Sequence, residues 1–150
     1  MSSVGFLLYV FVAVAGALNA VQSGTNAQLA RSLERPWLAG FVVCLSTTLI
    51  FAVGMLASGQ GLPAAGKAGS TPWWAWTGGL CGAVLVVASL FFAQKMGSGF
   101  FTGLTITAGV IASILMDHFG LVGFKQHSAG LWRIVGAALM IAGLGLVARF

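Results

Sequence analysis

Amide and hydroxyl side chains recur at helical spacing in two stretches of this chain. At about 100° per residue, each set falls on one face of a helix. The first set is Asn19, Gln22, Ser23 and Asn26. The second is Ser98, Thr102, Thr105 and Ser113, on a face that also includes Gly109 and ends at Asp117. Amide and hydroxyl groups of this kind can hydrogen-bond a solute, or they can hydrogen-bond one another between helices at about 0.6–2 kcal/mol per contact. The sequence leaves both interpretations open for the candidate path residues, which are Asn19, Gln22, Asn26, Thr102, Thr105 and Ser113.

Asp117 ends the face of the second set and is the one acid close to an apolar stretch. An acid at the centre of a membrane helix costs roughly 2.5–3.5 kcal/mol, and the cost falls towards the helix end where Asp117 lies. It could bind a proton or a cation and so gate or couple a transport step. It could equally pair with His118, Lys125 or Arg133 and act as a structural latch.

Other residues that could support chemistry do not form complete sites. Cys44 and Cys81 lack the spacing of metal ligands, and Asp117, His118 and His127 are too few to hold a metal. No nucleophile is paired with a base, so we expect neither an enzyme nor a bound cofactor or metal. The basic residues are scattered singly, which argues against a nucleic-acid partner.

The elements that position these side chains must cross a membrane. The chain of 150 residues has seven Lys or Arg and two Asp or Glu, so 6% is charged, against about 25% in a typical soluble domain. About 20 apolar residues span the hydrocarbon core as a helix. We predict an all-α integral membrane protein forming a single domain over 1–150, with five spans at about 4–21, 37–57, 73–93, 100–116 and 131–148.

Basic residues are divided almost evenly between the two sides of this predicted bundle. One side has Arg31, Arg35, Lys95 and Arg149, and the other has Lys67, Lys125 and Arg133. Orientation normally follows a clear excess of Lys and Arg on one side. Either the chain has one orientation that this count does not reveal, or it inserts both ways and forms an antiparallel dimer. An odd number of spans favours the second, since two fused copies would be inverted repeats.

Four segments, in order along the chain, resemble one known family. They are 22–31 after the first span, 73–82 opening the third, 117–123 closing the fourth and 133–143 opening the fifth. Together they are similar to the YdcZ-like inner-membrane exporters, five-helix members of the drug/metabolite transporter superfamily. The resemblance implies a multi-pass protein of the bacterial inner membrane that pairs as an inverted homodimer, or with a related chain.

The polar faces, the balanced basic residues and this resemblance together favour a small secondary transporter that moves a small metabolite or amphiphile by alternating access. The small multidrug resistance proteins of this superfamily have a membrane-embedded glutamate on their first helix, where this chain has Asn19 and other neutral residues. Proton-coupled export of cationic drugs is therefore not the expected activity. Two alternatives remain open, a non-transporting assembly partner of another membrane protein and a passive channel.

Overall fold

All the regular secondary structure is helical in the part of the protein that the computed structural model describes, residues 3–61 and 65–150. Its helices are α1 (Ser3–Leu33), α2 (Pro36–Ala57), α3 (Ala65–Ser70), α4 (Gly78–Met96), α5 (Ser98–Phe119) and α6 (Leu131–Arg149). Two 3₁₀ turns, Trp73–Thr77 and Leu121–Gly123, precede α4 and follow α5. The all-α prediction is confirmed.

Five helical segments are long and apolar enough to cross a membrane, as predicted. They are Gly5–Leu33, Pro36–Ala57, Trp73–Met96, Ser98–Phe119 and Leu131–Arg149. The largest difference from the predicted spans is in α1, which continues through the polar stretch after residue 21. A helix of 31 residues is roughly 46 Å long at 1.5 Å per residue, longer than the roughly 30 Å hydrocarbon core.

Local sequence explains where several helices begin and end. Pro36 occupies the first turn of α2, a position where its missing N–H costs no helical hydrogen bond. Gly97 separates α4 from α5 with φ of 83°, and Gly120 ends α5 in the left-handed conformation. Both are conformations that a residue without Cβ adopts readily.

Helices α1 and α4 form the centre of the bundle. α1 packs against α4, α2 and α5, and α6 packs against α5. Gly40 and Gly103 permit close approach of neighbouring helices. A Cβ on Gly40 would lie 3.0 Å from Leu90 Cδ1, and a Cβ on Gly103 would lie 3.0 Å from Leu144 Cδ1.

The packed core lies at one end of the bundle. Among the described residues, every buried position falls within 23–39 or 89–107. The buried hydrophobic residues are Ala27, Ala30, Ala39, Leu90, Ala93 and Phe101. Most large apolar side chains are exposed, including Phe51 at 74% and Leu56 at 75%. Such a surface is compatible with lipid as the surrounding solvent rather than water.

Candidate solute-binding site

A small polar cavity lies between α1, α4 and α5, beside the packed core. Its volume is about 40 Å³, and it is lined by Asn19, Gln22, Ser23, Asn26, Leu85, Val86, Ser89, Phe101, Thr102 and Thr105. A cavity of this size with several polar partners has room for ordered water. None of these lining residues carries a formal charge. The arrangement can therefore donate hydrogen bonds to a neutral group and accept them from it, but it offers no counter-charge to an ion.

Asn26 connects α1 to α4 inside this cavity. Its side-chain Nδ2 donates a hydrogen bond to the Ser89 hydroxyl oxygen over 3.1 Å, and Ser89 in turn donates to the Val86 carbonyl over 2.7 Å. Asn26 is 6% exposed and Ser89 is 3% exposed. Because a buried polar group without a partner is costly, this bond stabilises the contact between the two central helices.

The Thr102 hydroxyl oxygen on α5, unlike the Asn26 amide nitrogen, is buried without a hydrogen-bond partner among the described residues. The neighbouring Thr105 hydroxyl donates instead to the Thr102 carbonyl oxygen over 3.0 Å. The cavity wall therefore combines a satisfied pair, Asn26 and Ser89, with a hydroxyl that is available to a water molecule or a solute.

An apolar cluster borders the cavity towards the packed end of the bundle. Ala27, Ala93 and Phe101 are buried against one another, with Ala88 packed on them. Phe101 also lines the cavity, whereas Ala27 and Ala93 also line a separate cleft at the helix ends. The cluster thus lies between the polar cavity and that end of the bundle.

The structure brings five of the predicted path residues together and leaves one outside. Asn19, Gln22, Asn26, Thr102 and Thr105 all line the cavity. Ser113, on the same predicted face of α5, is exposed and does not line it.

Asp117 lies at the far end of α5 and forms an ion pair with α6. Its Oδ2 is 3.1 Å from Arg133 Nη1, and the two side chains are 28% and 45% exposed. The loop between α5 and α6 folds back onto the same helix end. There the His127 N–H donates to the Asp117 carbonyl over 2.8 Å, and the Ala129 N–H donates to His118 Nδ1 over 3.2 Å. Of the three partners that the sequence allowed, Asp117 therefore pairs with Arg133.

Sequence reasoning missed Ser89 as a partner of the polar face of α1. It stands alone in an apolar stretch of α4, so no periodic set of polar residues marked it. Thr107 was missed as well, although it is buried at 6% exposure. For Ser89 the available signal was an isolated hydroxyl residue within a span, which is weak. Thr107 follows Thr105 by two positions and therefore falls off the polar face of that helix.

Comparison with known proteins places the chain in a family. Residues 7–146 match the sequence model of the family described as "Putative inner membrane exporter, YdcZ". Neither a curated protein nor a solved structure matches the chain significantly. The match covers nearly the whole chain and agrees with its five apolar helices. The chain belongs to the YdcZ family and is a multi-pass protein of the inner membrane.

Proposed function

We propose that this protein is a secondary transporter that moves a small metabolite or amphiphile across the inner membrane by alternating access. The observation that carries the proposal is the neutral polar cavity between α1, α4 and α5, with its unpartnered Thr102 hydroxyl. Polar groups at membrane depth are costly, and they commonly mark the route of a solute.

The chemistry of the cavity suits a solute with a neutral hydrogen-bonding part. Gln22 and Asn26 on α1 and Thr105 on α5 supply amide and hydroxyl groups, and Phe101 supplies an apolar surface. At about 40 Å³ the cavity is far smaller than the roughly 300–1,000 Å³ of typical ligand sites. Transport therefore requires α1, α4 and α5 to separate, which is the helix movement that alternating access demands.

Asp117 has a gating role in this proposal rather than a place in the binding cavity. Its ion pair with Arg133 joins the ends of α5 and α6. Separation of these ends would break the pair, so its strength would set how readily the bundle opens on that side. The pair is partly exposed and is expected to contribute modestly, by about 1 kcal/mol or less.

We further propose that two copies pair as an antiparallel homodimer, or that one copy pairs with a related chain. The support is the almost even division of basic residues, four against three, between the two ends of the bundle and the absence of buried residues on α6. Within α6, Gly136 and Gly143 leave open space where a Cβ would lie. Small residues of this kind permit close helix contacts in lipid.

A solute screen on proteoliposomes tests the transport proposal. The purified protein is assayed with and without a proton gradient, beside Thr102→Val and the matched variant Thr48→Val. Thr48 is an exposed α2 residue whose hydroxyl donates to its own helix. We expect saturable flux that falls at least severalfold in T102V and is unchanged in T48V.

The alternatives give different results in the same screen. A non-transporting assembly partner moves no solute, and a passive channel conducts without saturation. A saturable flux that T102V leaves intact would remove the cavity from the mechanism.

A reporter fused to the carboxy terminus tests the antiparallel arrangement. Signal from both sides of the membrane is expected if the chain inserts both ways. Signal from one side alone would contradict dual insertion, and would leave pairing with a related chain of opposite orientation as the remaining form of the proposal.

A further inference from the structure

The packed end of the bundle contains a second kind of opening, distinct from the polar cavity. A cleft of about 300 Å³ lies between α1, α2 and α4. Its lining includes the basic residues Arg31 and Lys95 together with the apolar residues Ala30, Leu90 and Phe91. Arg31 and Lys95 lie in the last turns of α1 and α4. The charged groups are therefore at the helix ends, and the apolar residues lie deeper along the helices.

Neither cation of this cleft forms an ion pair with an acidic side chain of the described residues. Within residues 3–61 and 65–150, the pair of Arg133 with Asp117 is the one contact between a basic side chain and a carboxylate. Arg31 Nη1 donates to the Gln94 amide oxygen over 3.4 Å, which holds the guanidinium without neutralising it. The C-termini of α1 and α4 supply only about half a negative charge each, and Glu34, in the turn after Arg31, is offset by its neighbour Arg35. A net positive charge therefore remains at the opening.

The aromatic residues beside the cleft indicate its depth in the bilayer. Trp37 is 72% exposed and packs edge-on against Phe91, with 5.8 Å between ring centroids. Exposed Trp at the start of a span is typical of the headgroup layer. The basic residues at this helix end therefore lie at the level of lipid phosphates, and Leu90 and Phe91 extend towards the level of the acyl chains.

We propose that this cleft binds an anionic phospholipid, with its phosphate at Arg31 and Lys95 and an acyl chain against Leu90 and Phe91. Basic pockets between transmembrane helices recognise lipid headgroups in this way. The apolar wall favours a lipid over a free phosphate, because inorganic phosphate has no part that the wall could bind. The proposal is independent of solute transport, since none of these residues lines the polar cavity.

Lipid binding to the purified full chain in detergent tests this site. Apparent affinity is measured by native mass spectrometry for phosphatidylglycerol and phosphatidylcholine of identical acyl chains. We expect phosphatidylglycerol to bind more tightly, by about fivefold for each basic residue it contacts. Added salt should reduce the difference, because it screens charge at the surface.

Three variants locate the binding. Arg31→Gln and Lys95→Gln should each lower the affinity for phosphatidylglycerol about fivefold, and should lower the affinity for phosphatidylcholine by less, because its choline cation offsets the phosphate charge. Arg149→Gln is the matched control, since Arg149 lies at the end of α6, beside the Phe150 ring, and does not line the cleft. The affinity of R149Q for phosphatidylglycerol should equal that of the wild type.

Three results would overturn the proposal. The first is equal affinity of the wild type for the two lipids. The second is an equal loss of affinity for phosphatidylglycerol in R149Q and R31Q. The third is complete displacement of the lipid by inorganic phosphate. The last would identify a site for free anions rather than for lipid. Because Arg31 and Lys95 are exposed, their variants should fold, and the wild-type comparison of lipids decides the question even if one does not.

Discussion

The two halves of the polar face of α5 have different surroundings, although the sequence presents them as one continuous stripe. Thr102 and Thr105 line the cavity against α1 and α4. Ser113 is exposed, and Asp117 pairs with Arg133 of α6. The division follows the packing of the whole bundle, whose buried positions lie within 23–39 and 89–107. Helical spacing thus indicates which residues share a face, but the packing of the neighbouring helices determines which of them are buried and which contacts they make.

Among the variants that test this difference, Asn26→Ala should cause the largest loss of solute flux. It removes the hydrogen bond to Ser89 at the packed end and an amide from the cavity wall. We expect solute flux to fall at least about tenfold and the free energy of unfolding to fall by about 1 kcal/mol. Flux in proteoliposomes and reversible unfolding in detergent measure the two effects. A variant with unchanged flux would show that the amide has no part in transport.

Replacement of Gly40 by Val at the packed end should lower the stability of the protein, whereas the same replacement at the other end of α2 should not. A Cβ at this position would lie 3.0 Å from Leu90 Cδ1, so overpacking should cost about 1–3 kcal/mol. Gly54, on the same helix, has no neighbour within 4 Å of an added Cβ, and Gly54→Val is the matched control. Unfolding midpoints in detergent should fall for G40V alone, and equal midpoints would contradict the close contact of α2 with α4.

Replacement of Asp117 by Asn should have a smaller effect. Loss of the ion pair with Arg133 is expected to change stability by about 1 kcal/mol or less, because both side chains are partly exposed. In the gating proposal the flux also changes, by less than in Asn26→Ala. A double-mutant cycle with Arg133→Gln measures the coupling. Fully additive effects of D117N and R133Q would show that the pair does not act as a unit.

Replacement of Ser113 by Ala should have the smallest effect. The side chain is exposed on α5 and does not line the cavity, so flux and stability should match the wild type within error. A loss comparable to that of Asn26→Ala would show that the solute route extends along the whole face of α5, and would remove the distinction between its two halves.

The fold was largely predictable because apolar runs of sufficient length have few alternatives in a membrane. The end of α1 was not, because the predicted span stops at residue 21, where the apolar run ends. Gln22 and Asn26, on the polar helical face, lie beyond it and continue the helix. They do so because their side chains face the cavity between helices, where polar groups find partners.

The candidate site was predictable in part. Helical spacing identified Asn19, Gln22, Asn26, Thr102 and Thr105, but it could not identify Ser89, whose partner is 63 positions away in the chain. Nor could spacing choose among His118, Lys125 and Arg133 as the partner of Asp117. That choice depends on how the loop folds back onto α5, which contacts such as that of His127 with Asp117 determine.

The central claim is that the cavity between α1, α4 and α5 becomes open to water during transport, and cysteine accessibility tests it most directly. Cys44 and Cys81 are first replaced by Ala, and a single cysteine is then placed at Thr102 or, as the control on the exposed surface of the α2 span, at Thr48. Intact proteoliposomes are treated with a membrane-impermeant maleimide. The account predicts labelling of the Thr102→Cys protein and none of the Thr48→Cys protein. An unlabelled Thr102→Cys protein, with its fold shown to be intact, would contradict it.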